Sequence, residues 1–415
     1  MRADVQHGVS VYDVAGAARA VIKRKSNVPL VTIAIGARGG SHDEATTNAG
    51  LTSLVARTSI KGTSTRTAAQ IAETAEAMGG SISPAVGADA FDWEISVPSR
   101  HFQSALELLA DVAFNAAFPA AEFAVETKLA LSDLQHMRDD MYRYPLRLCL
   151  QQAFRGHPYG NTMSSVERTL TVSDRTDAAA WHAQQVRRQP WVFIVGDVDP
   201  DQAAVLVERQ LPQLQTAARP APVQAAWPGA SRVEETRAKA QTALALAFPA
   251  PTRNDEDAYV LQVLANAVGG LGGRFFEELR SRRSLAYTIA LMPIARWLGG
   301  AFVAYIATSP EREDEARGAL LEEFGRLKAE RLPAQEVERA QRYTIGTWQI
   351  RSQTNGAQLA DLLHACLLGP GVAEIMEYEQ HIRGVTPESI RCAAERYFDA
   401  ERHVEAVVRG TGAAR

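Results

Sequence analysis

The sequence predicts an α+β fold made of two similar halves, each an antiparallel sheet packed with helices. Three observations lead there. Four pairs of segments repeat at nearly constant spacing, strand-like and helix-like stretches are mixed in both halves, and a proline-rich stretch lies near the middle.

The repeat is the primary signal. LVTIAIGA (30–37) reads like QTALALAF (241–248), with Val31 opposite Thr242, an offset of 211. AFDWEISVPSRHFQSALELL (90–109) resembles GAFVAYIATSPEREDEARGALL (300–321), a strand followed by a helix. FPAAEFAVETKLALSDL (118–134) resembles LPAQEVERAQRYTIGTW (332–348), with Pro119 opposite Pro333, an offset of 214. WVFIVGD (191–197) resembles HVEAVVRG (403–410), with Val195 opposite Val408, an offset of 213. Identity within the pairs is low, so what repeats is the pattern. Within each half, alternation such as Trp93-Glu94-Ile95-Ser96-Val97 suits a half-buried strand. Ala69, Ile71, Ala72, Ala75 and Met78 recur at helical spacing, as do Leu106, Leu109, Ala110 and Ala113. Helices follow in pairs, which indicates α+β layers instead of βαβ alternation.

The junction falls at LPQLQTAARPAPVQAAWPGASR, where Pro212, Pro220, Pro222 and Pro228 disfavour helix and central strand. The expected domains are therefore an N-terminal half (1–211), a linker (212–235) and a C-terminal half (236–415). Two such halves on a linker can close like a clam shell around a cavity.

Composition agrees and narrows the function classes. The 415 residues suggest two or three domains at roughly 150 residues each. Hydrophobic residues at 46% and charged residues at 22% exclude wholesale disorder, collagen and a coiled-coil rod. Lys plus Arg is 44 against 48 Asp plus Glu, a net charge of −4. No strongly basic field is present, so no nucleic-acid partner is expected. No apolar run reaches the ~20 residues of a membrane span. The start, MRADVQHGVSVYDV, has no apolar core of a signal peptide. Cys149, Cys366 and Cys392 are too few and too scattered for a disulfide framework or a cysteine metal knuckle.

None of the nine histidines forms HExxH or HxxEH. Ser41-His42-Asp43 cannot be a catalytic triad, because adjacent residues do not point at one another, and no GxSxG elbow occurs. That triple reads as a turn after Gly39-Gly40, and His157 in GHPYG as a structural turn residue. Gly269-Gly270-Leu271-Gly272-Gly273 precedes a helical pattern at 276–280. Such a turn can present bare backbone N–H groups to a peptide, or simply act as a hinge. Arg280 and Tyr287 are seven apart, two turns if helical, so both could face one side and hold a carbonyl oxygen that gains charge. The alternative is an Arg on a solvated helix and a Tyr opening a strand.

The stretch LANAVGGLGGRFFEELRSRRSLAYTIA (264–290) resembles the pitrilysin/insulinase-type metallopeptidases, the inverted zincins, and in particular their bacterial and processing-peptidase branch. GARGGSHDEATTNAGLTSLVARTSIKGT (36–63), FRGHPYG (154–160) and WVFIVGDVDPD (191–201) carry the same resemblance, which thus spans nearly the whole chain. It implies two homologous α/β-roll halves, in agreement with the duplication. Active relatives carry HxxEH shortly before a Lys-Gly-Thr turn. Counting back from Lys61-Gly62-Thr63, those positions hold Ser53, Ala56 and Arg57. The third ligand of the family, a Glu, falls near Asp133, and Glu126 matches a supporting acid that could equally be a solvated helix residue. A Ser, an Arg and an Asp do not make a zinc set, and Arg57 would repel the ion. No metal is expected in this chain.

The resemblance further implies that Arg280 and Tyr287 are the family's pair that binds the substrate backbone and the oxyanion beside a zinc centre. It implies a non-catalytic subunit whose partner, a homologous HxxEH-containing zinc subunit, supplies the Zn. Substrates would be unfolded or short peptides. Gly270, Gly272 and Gly273 are assigned beside the substrate as a hinge, while Arg282 and Arg283 read as solvated surface. The alternative is a catalytically inert peptide-binding or core-protein-like structural relative, which has no need of an oxyanion pair. A self-sufficient hydrolase using other residues ranks last. The compartment stays open between bacterial cytoplasm and periplasm.

Overall fold

A computed structural model of the protein describes residues 3–14, 18–186, 190–212, 221–270 and 272–412. The strands are β1 (Ala3–Gln6), β2 (Val9–Asp13), β3 (Arg19–Arg24), β4 (Leu30–Arg38), β5 (Ile82–Val86), β6 (Ala90–Pro98), β7 (Trp191–Gly196), β8 (Ser231–Arg237), β9 (Thr242–Ala250), β10 (Thr288–Ala295), β11 (Gly300–Thr308) and β12 (Val404–Gly410). The helices of the first part are α1 (Leu51–Ser59), α2 (Ala68–Ala77), α3 (Phe102–Phe114), α4 (Ala120–Asp139), α5 (Arg143–Ala153), α6 (Met163–Val172), α7 (Arg175–Val186) and α8 (Pro200–Gln210). Then come α9 (Asp257–Gly269) and the short α10 (Arg274–Phe276), which runs on as a π-helical turn over Glu277–Arg282. They are followed by α11 (Glu313–Ala329), α12 (Ala334–Arg351), α13 (Asn355–Leu368), α14 (Val372–Gly384) and α15 (Pro387–Tyr397).

These elements form two compact units. The first draws on Met1–Leu134, Met163–Ala221 and Arg351–Met376, the second on Gln135–Thr162, Pro222–Ile350 and Glu377–Arg415. The first contains a sheet of order β1-β2-β3-β7-β4-β6-β5, the second a sheet of order β10-β11-β9-β12-β8. Started from β3 and from β8, the two sheets follow the same strand order. Each has one parallel pair, β3 with β7 and β8 with β12. Register repeats as well. Ile33 lies opposite Ile95 and Ile194, and Leu244 lies opposite Ile306 and Val407. All six are buried. The duplication expected from the sequence is present strand for strand. Only the β1–β2 hairpin lacks a counterpart among the strands of the second sheet.

The central strands are covered on both faces, because side chains alternate across a sheet. Ile33, Ile35, Val192 and Ile194 pack with Leu106 and Leu109 of α3 and Ala203 and Val207 of α8. On the opposite face α13 lies along β4 and β7. It is so close that a Cβ added at Gly36 would sit 3.0 Å from Leu363 Cδ1. The Thr354 side chain accepts from the Ala357 N–H and starts that helix. In the second unit Leu244, Leu246 and Phe248 pack with α9, α11 and α15 through rings such as Phe324 and Phe398. The opposite face, with Ala243, Tyr305 and Ala307, is covered by α5 and by Met141 and Leu146. A helix from the C-terminal part of the sequence thus completes the first sheet, and one from the N-terminal part completes the second. The edge strands β5 and β10 carry Pro84 and Pro293, residues tolerated at sheet edges.

Of the stretch 212–235, residues 213–220 lie outside the described residues, and Ser231 onward belongs to β8. Among the described residues no single helix is long and apolar enough to cross a membrane.

Candidate functional site

The first group of candidate residues lies on α1 and α4. Glu44 starts α1 by accepting from the N–H groups of Gly50 (2.7 Å) and Thr52 (2.9 Å). Leu51, Leu54 and Val55 turn inward against Phe118, Phe123, Leu170 and Trp181, so the helix is seated firmly. Ser53 is exposed, Ala56 is buried and Arg57 is one-third exposed. Arg57 Nε donates to Glu126 Oε2 at 3.2 Å, and its Nη1 donates to Asp133 Oδ2 at 2.7 Å. Lys61 Nζ lies 3.2 Å from Glu126 Oε1. Burial disfavours the Arg57 charge, but the bonds and charges of Asp133 and Glu126 outweigh it, and its pKa is raised.

Zinc takes a compact set of N, O or S donors. Here Ala56 offers none, a guanidinium occupies the position of Arg57, and both carboxylates are bonded to cations. The set does not fit the ion. Among the described residues, no group of three or more His, Cys, Asp or Glu is arranged to hold a metal. Two members of this cluster were not legible as such. Lys61 lies in the turn just past the end of α1, where nothing in the local sequence marks it as a partner of Glu126. Glu126 is a buried ion-pair partner, not a solvated helix residue.

The second group follows α9. Gly270 ends that helix with φ −72° and ψ 172°, and its carbonyl accepts from the Gly273 N–H at 2.7 Å. Leu271 lies outside the described residues. At Gly273 a Cβ would stand 2.3 Å from the Val268 carbonyl oxygen, so only glycine fits; beside Gly270 and Gly272 there is open space. Phe275 and Leu279 are fully buried and anchor the next turn. Arg280 points outward, its guanidinium 4.9 Å from the Phe276 ring centroid.

Arg280 and Tyr287 do not share a helix face; the alternative arrangement, an Arg on an exposed helical turn and a Tyr opening a strand, is the one present. The π-helical turn ends at Arg282, Ser284 adopts a left-handed φ of 51°, and the Leu285 N–H bonds back to the Leu279 carbonyl at 2.7 Å. Tyr287 then precedes β10 and is 57% exposed. Among the described residues, no hydrogen bond or ion pair engages the Arg280 guanidinium or the Tyr287 hydroxyl. Their neighbours differ. Arg282 pairs with Glu277 and Glu278, and Arg283 with Glu278 (2.8 Å) and Glu322 (3.0 Å). The two residues read as solvated surface are thus charge-balanced, and among the described residues of this turn Arg280 is the cation without an ion pair.

The remaining candidates are structural. Ser41–Asp43 form a 3-10 turn in which His42 Nδ1 lies 3.1 Å from the Ala88 carbonyl oxygen. His157 Nδ1 accepts from the Tyr159 N–H at 3.2 Å and so holds its own turn.

Comparison with known proteins accounts for both halves. Residues 19–166 match the family model described as insulinase (peptidase family M16), and residues 191–343 match the peptidase M16 inactive domain. An uncharacterized zinc protease of Rickettsia bellii is 27% identical over 338 residues, covering 80% of each chain. One from Mycobacterium leprae is 29% identical over 315 residues, covering 74% of this chain and 70% of the relative. Among solved structures, a peptidase M16 inactive domain from Pseudomonas fluorescens superposes with a TM-score of 0.89 at 19% identity, covering 98% of this chain and 99% of the other. A protease from Helicobacter pylori gives 0.86 at 16% identity, covering 97% and 99%. One family thus spans both copies of the repeat, and this chain belongs to it: the M16, or insulinase, peptidases.

Proposed function

We propose that this chain is the non-catalytic subunit of a two-subunit zinc peptidase. A homologous HxxEH-bearing partner holds the metal, and this chain contributes Arg280 and Tyr287 to the substrate. The carrying observation is a contrast between two cations. Arg57, at the position of a metal ligand, is tied to two carboxylates, whereas among the described residues the Arg280 guanidinium, stacked only on the Phe276 ring, and the Tyr287 hydroxyl have no hydrogen-bond or ion-pair partner. A fixed guanidinium and a phenolic O–H are donors suited to the oxygen of a scissile amide as it becomes negative. The bare backbone at Gly270 and Gly272 leaves room for an extended chain beside them, while Gly273 is explained by its packing. Substrates of this kind are unfolded or short peptides.

The test is to purify the chain alone, together with an HxxEH homologue of similar length, and the homologue alone, and to measure zinc content and peptide turnover of each. The expected result is turnover only in the mixture, with about one zinc per heterodimer, held by the partner. Peptide hydrolysis by this chain alone would overturn the reading. So would a heterodimer whose turnover is indifferent to loss of both Arg280 and Tyr287, the behaviour of a purely structural relative.

A further inference from the structure

The misfit between the zinc implied by the family and the residues at α1 and α4 has a physical consequence of its own. We infer that Arg57 and Lys61 together take the place of a divalent cation, closing the polar side of the α1–α4 contact by side-chain charge without a metal, beside the apolar packing of Leu51, Leu54 and Val55 on Phe123. Three features of the geometry support this.

The first is the match of positions. Arg57 in the last turn of α1 and Lys61 in the turn just past its end both face α4, on which Glu126 and Asp133 are seven apart on one side. The second is the division of bonds. Arg57 spans both acids, with Nε on Glu126 and Nη1 on Asp133, while Lys61 takes the other Glu126 oxygen. Glu126 therefore has each oxygen on a different cation, and its side chain is only 6% exposed. The third is the charge count. Two cations face two carboxylates, the same balance a divalent ion would strike with two acids.

A carboxylate buried to that degree is costly without partners. Removing the cations leaves Glu126 uncompensated, and removing all four charges does not. A guanidinium bound through directed N–H groups also needs no ligand exchange and no metal supply. The α1–α4 junction of this chain is then insensitive to chelator but sensitive to salt, because Asp133 is 63% exposed and Arg57 is 34% exposed. The inference does not rest on the two-subunit reading. It is tested on the isolated chain, so either can fail without the other.

The experiment is thermal unfolding of the full chain at low and high NaCl, with EDTA, with equimolar zinc, and with neither. Wild type is expected to melt at one temperature in all three metal conditions. Arg57→Met/Lys61→Met is expected to melt roughly 4 °C or more lower at low salt, with the gap narrowing at high salt. Arg57→Lys, which cannot span both acids, is expected to fall between. Adding Glu126→Gln and Asp133→Asn to the double variant is expected to recover most of the loss. This fully neutral variant also decides the matter if the double variant does not fold. Three outcomes overturn the inference: a double variant that melts with wild type, a neutral variant no better than the double, or a wild-type melting temperature raised by zinc or lowered by EDTA.

Discussion

The Tyr287 backbone N–H donates to the Ala307 carbonyl at 2.9 Å, so the phenol stands at the first rung of the β10–β11 ladder and not on the helix of Arg280. Its position is set by sheet pairing, and its hydroxyl contributes nothing to that pairing. Tyr287→Phe is therefore expected to leave folding and partner assembly intact while lowering kcat of the complex about 10²–10³-fold, the usual cost of one oxyanion donor. Steady-state kinetics beside a co-elution assay checks this. A complex of Tyr287→Phe with wild-type kcat would remove the phenol from the chemistry.

The glycine turn separates two roles that the sequence could not. Gly273→Ala would force a methyl to within 2.3 Å of a backbone oxygen in a helix end that cannot yield cheaply. We expect a loss of about 1–3 kcal/mol in urea unfolding. Gly270→Ala meets open space at φ −72°, a conformation any residue adopts, and is expected to be neutral or slightly stabilising in the same assay. If peptide passes beside Gly270, that same substitution raises KM while stability holds.

Asp92 gives the protein a pH dependence in the neutral range. It lies on β6 beside Gly36 of β4, two residues before Glu94 on the same face. Burial, and then the neighbouring Glu94 charge, push its carboxyl up to about 7. An unfolded chain ionises the same group near 4. Between those values the folded protein holds the extra proton, so stability falls as pH rises from about 4 to about 7 and levels off above. Asp92→Asn is expected to flatten that slope and to be more stable than wild type at pH 8 by on the order of 2 kcal/mol. Urea midpoints from pH 5 to 8 for both proteins check it, and parallel curves would contradict it.

The duplication was legible because alternation within strands and helical spacing survive when identity does not. Offsets of 211 to 213 bring Ile33, Ile95 and Ile194 onto Leu244, Ile306 and Val407. The pairings themselves are long-range and leave no local mark. Loss of the metal ligands at Ser53, Ala56 and Arg57 was legible from residue type alone. The occupation of Glu126 by Arg57 and Lys61 was not, since α4 carries charged residues around much of its surface and burial of one of them depends on a helix some 70 residues away. The Arg280–Tyr287 spacing was compatible both with two helical turns and with an Arg on a helix and a Tyr opening a strand, and spacing alone does not choose between them. The left-handed Ser284 that ends the helical turn before Tyr287 carries no decisive sequence signature, since serine favours caps and turns but also occurs within helices.

Helix α13 makes the sequence boundary at 211 a poor place to cut. Ala34, Phe193 and Val195 are fully buried, and by alternation they lie on the face opposite the α3 and α8 core, the face that α13 covers. A fragment of residues 1–211 would expose them. Each large apolar side chain so uncovered costs roughly 1.5–3 kcal/mol, which for several together rivals the 5–15 kcal/mol by which a domain is stable. The fragment would also carry α5 without β9 and β12, on which that helix packs. We expect fragment 1–211 to bind a hydrophobic dye and to lack a cooperative urea transition. A fragment in which a flexible linker attaches 351–376 is expected to regain the transition. The measurement is near-UV circular dichroism against urea for the two fragments. A cooperative transition in 1–211 alone, at the midpoint of the linked fragment, would show that α13 is dispensable and that the first sheet is complete within its own half of the sequence.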